Sequence, residues 1–387
     1  MADSFRCAAA NPPAAKVHQK NLEETRMKRR MILTAGATPA ALGIAAPAIA
    51  QTRPKVSWRL TSSFPRNLDT LYGAANTFSK MVSDATDGDF TIRVFSPGEI
   101  VPALEAREAT SKGFVESCFT ASSYSIGTDP AFMFATVLLF GLNSRQQMAY
   151  LYELGGNDKL NRLLYQKHDV LCWPLISTGA QMGGWFRKEI RSVEDLKGLK
   201  FRIGGLAGHV FQRLGSVPQQ IAAGDIYPSL ERGTIDAAEW IGPYDDEKLG
   251  LYKVAPYYYY PGWWEGTGIL SLIVNKQKYE ELPPAYRSIV QTAAAATTSL
   301  GLARYDALNP QALKRLVAAG TQLRPFPQAV LDACFDETTK MHEEYSRADP
   351  VYAEIYREMA TFRQDAYQWL QLSEYAFDSY QIRRLRR

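Results

Sequence analysis

Four side chains between residues 181 and 265 have the chemistry to bind a small organic anion together with a metal ion. Arg202 lies in a short strand pattern, and its guanidinium fork matches both oxygens of a carboxylate. Gln181, Glu239 and Glu265 supply amide and carboxylate oxygens, which are hard ligands suited to Na⁺ or Ca²⁺ rather than to zinc. These residues predict an anion site with a metal ion beside it.

Short strand patterns, glycine turns and helical patterns alternate along the chain that must position these residues. The strand patterns cover residues 56–60, 90–95, 115–120, 170–176, 200–203 and 270–274. The helical patterns cover residues 71–85, 103–111, 284–305, 310–319 and 352–382. This order predicts an α/β protein with doubly wound sheets, in which ligands bind beyond the carboxyl ends of the strands.

Length and charge narrow the class of protein. With 387 residues the chain is long enough for two domains and a large buried core. The formal net charge is +4, but residues 1–50 hold seven of the 44 Lys/Arg and three of the 40 Asp/Glu, so the remainder is neutral. A neutral chain lacks the basic surface that nucleic acid requires, and we expect no nucleic-acid partner.

Residues 27–50 have the pattern of an export signal. A basic start at 28–30 precedes a moderately apolar run over 32–47 and a small-x-small cleavage site at 48–50. The arginine pair in the basic start resembles a twin-arginine signal, and we interpret residues 1–26 as an upstream extension of the reading frame. A membrane anchor is the alternative, although the run is short and rich in Ala and Gly. We expect a periplasmic protein.

Three cysteines follow the predicted signal: Cys118, Cys172 and Cys334. No two of them stand at a spacing typical of metal ligands. We interpret them as buried structural thiols, and one disulfide is the alternative in an oxidising compartment.

Several motifs carry a resemblance to a known family. They are Gln-Met-Gly-Gly-Trp-Phe-Arg at 181–187, Phe-Arg-Ile-Gly-Gly at 201–205, Gly-Asp-Ile-Tyr-Pro at 224–228, Gly-Thr-Ile-Asp-Ala at 233–237 and the aromatic run at 255–265. Together they resemble the periplasmic solute-binding proteins of TRAP transporters, and most closely the branch that binds 2-oxo acids such as pyruvate. The resemblance extends over the chain after residue 51. It implies a type II periplasmic binding protein fold, with two α/β domains, a hinge and a long C-terminal helix.

The resemblance assigns substrate-binding roles to five positions. Arg202 matches the family arginine that pairs with the substrate carboxylate, and Gln181 matches a residue shared between substrate and metal. Thr120, Ala121 and Ser122 correspond by position to a wall of the ligand cleft. Without the family, Arg202 reads as an ordinary surface arginine and residues 120–122 as a polar loop.

The resemblance also implies a metal site. Gln181, Glu239, the backbone carbonyl of Trp240 and Glu265 match the family's metal ligands. The implied ion is Na⁺, with Ca²⁺ as the alternative. Trp263 and Trp264 are interpreted as packing residues, one of which could also line the cleft.

The predicted domains are discontinuous, because strand 270–274 returns the chain to the first domain. The last helical pattern carries an apolar stripe, which packs on its own domain or pairs with a second subunit; the resemblance favours a homodimer. That stripe consists of Ile355, Met359, Phe362, Ala366, Trp369, Leu372, Ala376 and Tyr380. The predicted ranges are 51–178 with 268–305 for domain I, 179–267 with 306–350 for domain II, and 351–387 for the C-terminal helix and tail.

Two classes of function fit this sequence. The first is a periplasmic solute-binding protein that captures a small 2-oxo monocarboxylate and delivers it to the membrane permease subunits of a TRAP transporter. The second is a cofactor-dependent enzyme exported by the twin-arginine route. The chain has four histidines, none in an HExxH pair, and neither a GxSxG nor a CxxC motif, so the sequence offers little for the enzyme.

Overall fold

The computed structural model of the chain describes residues 53–385. The predicted export signal and the upstream extension lie outside this range. Within it, none of the helices combines the length and the hydropathy required to cross a membrane.

Eleven strands form two sheets within residues 53–385. The strands are β1 Val56–Ser62, β2 Phe90–Phe95, β3 Ser117–Thr120, β4 Val170–Ser177, β5 Gly184–Phe186, β6 Lys200–Arg202, β7 Val217–Gln219, β8 Ala237–Ala238, β9 Tyr257–Tyr260, β10 Ile269–Asn275 and β11 Gln322–Pro325. The first sheet has the spatial order β2-β1-β3-β10-β4, and the second has the order β11-β9-β5-β8-β6-β7.

The helices cover the sheets and account for most of the C-terminal part of the chain. They are α1 Leu71–Ala85, α2 Ala106–Ser111, α3 Met133–Thr136, α4 Ser144–Met148, α5 Gly156–Leu163, α6 Gly205–Arg213, α7 Ala223–Glu231, α8 Pro243–Leu249, α9 Lys276–Glu280, α10 Pro284–Ala318, α11 Gln328–Ala348, α12 Pro350–Leu372 and α13 Glu374–Leu385.

In the first sheet, β10 runs antiparallel between β3 and β4, whereas β1 runs parallel to β2 and β3. Every residue of β4 and β10 is buried, which explains their continuous apolar runs. Pro174 is tolerated in β4 because β4 is an edge strand and one of its sides needs no ladder hydrogen bonds. Helix α10 packs over β4.

Three segments connect the two sheets. The first crossing segment, residues 178–183, leads from β4 to β5. The second, residues 261–268, leads from β9 back to β10, and α10 then carries the chain to β11. Two sheets joined by a few crossings agree with the predicted fold of two α/β domains and a hinge.

Two predictions about the helices are wrong. Residues 284–318 form one continuous helix that includes Pro310, rather than two helices. A proline inside a helix costs about 3 kcal/mol, but α10 also packs against α1, β4 and α8, and this tertiary contact outweighs the local loss. The predicted helix 352–382 is divided into α12 and α13, because the backbone of Ser373 leaves the helical region at φ −88°, ψ −97°.

The apolar stripe on the last helices divides into a buried and an exposed part. Ile355 and Met359 are fully buried, whereas 63% of Trp369 and 63% of Leu372 are exposed. None of the residues of α13 is buried. The three cysteines are free and buried, which confirms their interpretation as structural thiols.

Candidate functional site

Two of the predicted site residues, Arg202 and Glu239, lie at the same edge of the second sheet. Arg202 is the last residue of β6, and Glu239 follows β8 directly. Because β6 and β8 are parallel, with Arg202 opposite Ala238, both carboxyl ends meet at this edge. This is where ligands bind in open α/β sheets, as the sequence predicted.

The other two predicted residues lie on the crossing segments. Gln181 is in the first crossing segment and Glu265 is in the second. The N–H of Gln181 donates to the carbonyl of Glu265 at 3.0 Å, and the N–H of Gly262 donates to the carbonyl of Gln181 at 3.1 Å. Backbone hydrogen bonds therefore hold these side chains in register at the hinge between the sheets.

Arg202 is held from several directions and is 2% exposed. Its Nη1 donates to the carbonyl oxygen of Glu239 at 2.7 Å and also to the Glu239 carboxylate. Its Nε donates to the carbonyl of Ile221 at 3.1 Å, and the guanidinium carbon lies 5.0 Å from the centre of the Trp240 ring. A buried cation is therefore fixed beside a carboxylate on the neighbouring strand.

Burial is the main cause of a raised pKa at both glutamates of the site. Burial raises the pKa of Glu239, against the opposing effects of Arg202 and of the Gly204 N–H. Burial and then the charge of Glu239 raise the pKa of Glu265 well above its usual range, while Arg202 and Gln181 oppose the shift. Arg202 pairs with Glu239, and Glu265 forms no ion pair with any of residues 53–385, so the site favours an additional cation.

Close backbone packing shapes the site at two glycines. A Cβ atom on Gly268 would lie 2.6 Å from Gln181 Nε2 and 3.0 Å from Glu265 Oε2. A Cβ atom on Gly184 would lie 2.8 Å from the Ala238 carbonyl oxygen, and this residue also has φ +88°. Only glycine leaves the room that the polar side chains of the site occupy.

A small cavity of about 30 Å³ lies between the two sheets at this point. Arg202, Gln181 and the two glutamates line it together with residues from both sheets. The other lining residues are Phe64, Ala121, Ser123, Tyr124, Thr136, Gly204, Trp240, Ile241 and Leu270. The structure therefore brings Gln181, Arg202, Glu239, Trp240, Glu265 and Ala121 together around one cavity.

Thr120 and Ser122 do not line this cavity. The Thr120 hydroxyl accepts a hydrogen bond from Ser63 Oγ at 2.7 Å. Ser122 Oγ accepts a hydrogen bond from Tyr165 at 2.6 Å and lies 2.9 Å from Ser271 Oγ. Both side chains therefore brace the wall from behind, because alternate residues at the end of β3 point to opposite sides.

Tyr124 lines the cavity and was not among the predicted site residues. Burial raises the pKa of its phenol to about 12, and the charges of Arg202, Glu239 and Glu265 act on it. Its phenol is therefore a neutral donor at neutral pH. The missed signal was the Ser-Ser-Tyr-Ser sequence after β3, which forms a short 3₁₀ turn that directs the tyrosine inward.

Three tryptophans lie near the site, two of them in the core and one at the cavity. Trp263 and Trp264 are 5% and 1% exposed and pack in the core, edge to face, with ring centres 5.2 Å apart. Neither lines the cavity. The Trp240 ring does line it and lies 6.3 Å from the ring of Phe64.

The residues present fit a hard metal ion. The Gln181 Oε1 atom is buried and has no hydrogen-bond partner among residues 53–385, so it is available as an oxygen ligand. Within these residues no group of three His, Cys, Asp or Glu is arranged for a metal. The candidate set has two carboxylates and depends otherwise on the amide oxygen and a backbone carbonyl, as Na⁺ and Ca²⁺ sites can.

Comparisons with known proteins identify the family. The model of the bacterial extracellular solute-binding protein family 7 matches residues 61–348. The chain is 44% identical to the monocarboxylate 2-oxoacid-binding periplasmic protein of a Nostoc species, over 92% of this chain and 99% of that protein.

Solved structures show the same fold. A TRAP transporter solute-binding protein from Bordetella bronchiseptica has 46% identity and a TM-score of 0.85, over 86% of this chain and 99% of that chain; it is a mixed-occupancy dimer with calcium and picolinate in one active site. One from Pseudoalteromonas atlantica, with bound sodium and pyruvate, has 35% identity and a TM-score of 0.82, over 84% and 99% of the two chains.

These comparisons decide between the two classes of function. The homologues are periplasmic solute-binding proteins and not enzymes, so the alternative of an exported enzyme is wrong. The predicted fold class and periplasmic location are confirmed. The chain belongs to the bacterial extracellular solute-binding protein family 7, as a periplasmic solute-binding protein of the TRAP type from the 2-oxo acid branch.

Proposed function

We propose that this protein captures a small 2-oxo monocarboxylate, such as pyruvate, together with a metal ion, and delivers the acid to the membrane permease subunits of a TRAP transporter. The observation that carries the proposal is the joint arrangement of Arg202, Gln181, Glu239 and Glu265 on one small cavity between the sheets. One relative is a 2-oxoacid-binding protein, and two solved relatives hold pyruvate and picolinate, which supports the same class of ligand.

Arg202 pairs with the ligand carboxylate in this proposal. An unpaired carboxylate is very costly to bury, and Arg202 is the cation that lines the cavity. Its guanidinium is already oriented by Ile221 and Glu239, so little conformational entropy is lost when the acid binds. The ligand and Glu239 then share one guanidinium.

Gln181, Glu239, the Trp240 carbonyl and Glu265 would hold the metal ion. A bound cation would offset the negative charge of the two glutamates and attract the carboxylate. The proposed ion is Na⁺, with Ca²⁺ as the alternative, since relatives hold sodium with pyruvate and calcium with picolinate. Gln181 can orient both partners, because its free oxygen can ligate the metal and its amide nitrogen can donate to the carboxylate.

The first sheet supplies the neutral wall of the proposed site. Ala121 lies against the ligand, and the Tyr124 phenol donates to the 2-oxo group or to the carboxylate. Thr120 and Ser122 hold that wall from behind through Ser63, Tyr165 and Ser271.

Exposed apolar side chains on α12 and α13, some of them outside the predicted stripe, support a homodimer. Trp369, Leu372, Tyr375 and Phe377 are each more than 60% exposed, and a patch of this kind on a soluble protein marks an interaction surface. Because Ile355 and Met359 belong to the core, the informative truncation is after Leu372, which removes only α13. We expect the truncated protein to be monomeric in light scattering; a monomeric full-length chain would contradict the dimer.

The domain boundaries and the twin-arginine export are part of the same proposal. The predicted boundaries near 178 and 268 fall within or at the end of the two crossing segments, where hinge bending would close the sheets on the ligand.

Export is tested in cells: replacing Arg29 and Arg30 with Lys should leave the protein in the cytoplasm if the twin-arginine route is used.

The direct test is isothermal titration calorimetry with a panel of acids. Pyruvate and 2-oxobutyrate should bind in buffer that contains Na⁺ or Ca²⁺, and acetate, which lacks the 2-oxo group, should bind more weakly. Mass spectrometry of the titrated mixture should find the acid unchanged. Absence of binding for every monocarboxylate in both buffers would contradict the proposed function.

A further inference from the structure

Two adjacent buried acids lie just behind the candidate site, on α8. Asp245 and Asp246 are 0% and 1% exposed, and neither lines the cavity. Neither forms an ion pair with a residue that the structure describes. Burying a carboxylate without a cation is costly, so each acid must be retained by the hydrogen bonds that it accepts.

Asp246 faces the second sheet and the site. It accepts hydrogen bonds from Trp185 Nε1 at 2.9 Å, from the Tyr258 hydroxyl at 2.7 Å and from the N–H of Ile241 at 3.1 Å. Trp185 and Tyr258 belong to β5 and β9, and their rings are stacked 3.9 Å apart. Ile241 is thereby tied to the centre of the second sheet.

Ile241 ends the segment that carries two candidate metal ligands. Residues 239–241 contain Glu239 and the Trp240 carbonyl, and the Ile241 carbonyl accepts a hydrogen bond from the N–H of Met182 at 3.0 Å. Met182 is the neighbour of Gln181 in the first crossing segment. The hydrogen bond that Ile241 donates to Asp246 therefore holds the residue through which the segment 239–241 contacts the neighbour of Gln181.

Asp245 faces the opposite way, towards the first sheet. It accepts hydrogen bonds from Thr70 Oγ1 at 2.5 Å and from the Tyr305 hydroxyl at 2.6 Å. Thr70 precedes α1, which packs on β2 and β1 of the first sheet. The contact therefore joins α8 to the first sheet.

A second contact beside it strengthens the same junction. Asp69, next to Thr70, pairs with Lys248 of α8 and with Arg304 at 2.5 Å, and it accepts a hydrogen bond from Tyr244 at 3.2 Å. A movement that separates the sheets would break the bonds from α8 to Thr70 and Asp69.

We propose that Asp246 and Asp245 are positioning residues for ligand capture: Asp246 holds residues 239–241 in their binding geometry, and Asp245 fastens that segment to the first sheet through Thr70 when the cleft closes. This inference depends on the proposed function for its ligand. In this proposal α8 couples the geometry of the metal ligands to closure of the cleft, although no residue of α8 lines the cavity.

Two variants with different readouts distinguish the role of Asp245 from the role of Asp246. Thr70→Val keeps the shape of the side chain and removes the donor to Asp245, so pyruvate affinity should fall about tenfold while Ca²⁺ affinity without pyruvate stays unchanged. Asp246→Asn loses part of the acceptor set, so the affinity for Ca²⁺ alone should also fall about tenfold.

Three further measurements separate positioning from a loss of stability. Val330→Ala, a core change in α11, should lower the melting temperature without changing either affinity. The double variant Asp245→Asn with Thr70→Val should bind pyruvate no more weakly than the more affected single variant. The reason is that both changes break the same hydrogen bond, from Thr70 to Asp245. Hydrogen exchange of residues 239–242 should be at least tenfold faster in Asp246→Asn than in the wild type.

Pyruvate and Ca²⁺ affinities within twofold of the wild type in Thr70→Val and Asp246→Asn would overturn this inference. Equal hydrogen exchange in Asp246→Asn and the wild type would overturn it as well. A wild-type protein that binds no carboxylate would instead refute the proposed function, and the exchange measurement and the Ca²⁺ titration would still report on Asp246.

Discussion

The two faces of the candidate cavity differ in the charge of their side chains and in the hydrogen bonds that hold those side chains. The second sheet and the crossing segments contribute its charged residues, Arg202, Glu239 and Glu265, held by backbone hydrogen bonds and by each other. The first sheet contributes small or neutral side chains, among them Ala121 and Tyr124. We propose that the charged face supplies most of the affinity and that the neutral face decides which acid fits.

The largest effect is expected at Arg202. Arg202→Lys keeps the positive charge but loses the fork, so pyruvate affinity should fall by about 2–3 kcal/mol, the upper range for a charged hydrogen bond. Calorimetry measures the change. Arg324→Lys is the matched control, because Arg324 pairs with Glu189 on the same sheet but outside the cavity. Equal affinities in Arg202→Lys and Arg324→Lys would remove Arg202 from the site.

A smaller loss is expected at Glu239. Glu239→Gln removes one charge with little change of shape, so pyruvate binding should weaken by about 1–3 kcal/mol and should lose its dependence on added metal. Glu189→Gln serves as the control. If Glu239→Gln responds to Na⁺ and Ca²⁺ as the wild type does, Glu239 is not a metal ligand.

The packing of the hinge gives a third prediction. Gly268→Ala places a methyl group against Gln181 Nε2 and Glu265 Oε2, so both side chains must move and affinity should fall by about 1–2 kcal/mol. Gly73→Ala, whose Cβ atom would meet nothing within 4 Å, should leave affinity unchanged. Fluorescence titration of both variants is sufficient, and equal affinities would show that the Gln181 amide is not part of the site.

The smallest change in affinity is expected on the neutral face. Tyr124→Phe removes one neutral donor, so affinity for pyruvate should fall by about 0.5–1.5 kcal/mol, with a smaller loss for acetate. Tyr227→Phe, a change outside the cavity, is the control. An equal loss for pyruvate and acetate would assign Tyr124 to the carboxylate rather than to the 2-oxo group.

The charged face could be predicted from the sequence, and the neutral face only in part. Arg202 lies in the strand pattern predicted over 200–203, whereas the sequence predicts no strand before Glu239, so its place in the site rests on the family resemblance. The sequence could not show which side chains after β3 point inward, because the 3₁₀ turn at residues 122–125 sets the direction of Tyr124. The direction of these side chains depends on the backbone conformation rather than on residue type.

The predicted helix boundaries were wrong where tertiary packing outweighs the local preference of the sequence. Pro310 predicts a break, yet α10 continues through it because the helix is covered on several sides. Ser373 does not predict a break, yet the helix ends there. The role of α8 could not be predicted either, since the directions of Asp245 and Asp246 depend on contacts with residues about 60–175 positions away.

The central claim is that acid and metal bind jointly, and one measurement tests it most directly. Chelated and dialysed wild-type protein is titrated with pyruvate in the absence and presence of Na⁺ or Ca²⁺, and with Ca²⁺ in the absence and presence of pyruvate. Each partner should strengthen the other by the same factor, about 5–150-fold, because such coupling is reciprocal. Pyruvate affinity that is equal with and without metal would contradict the account.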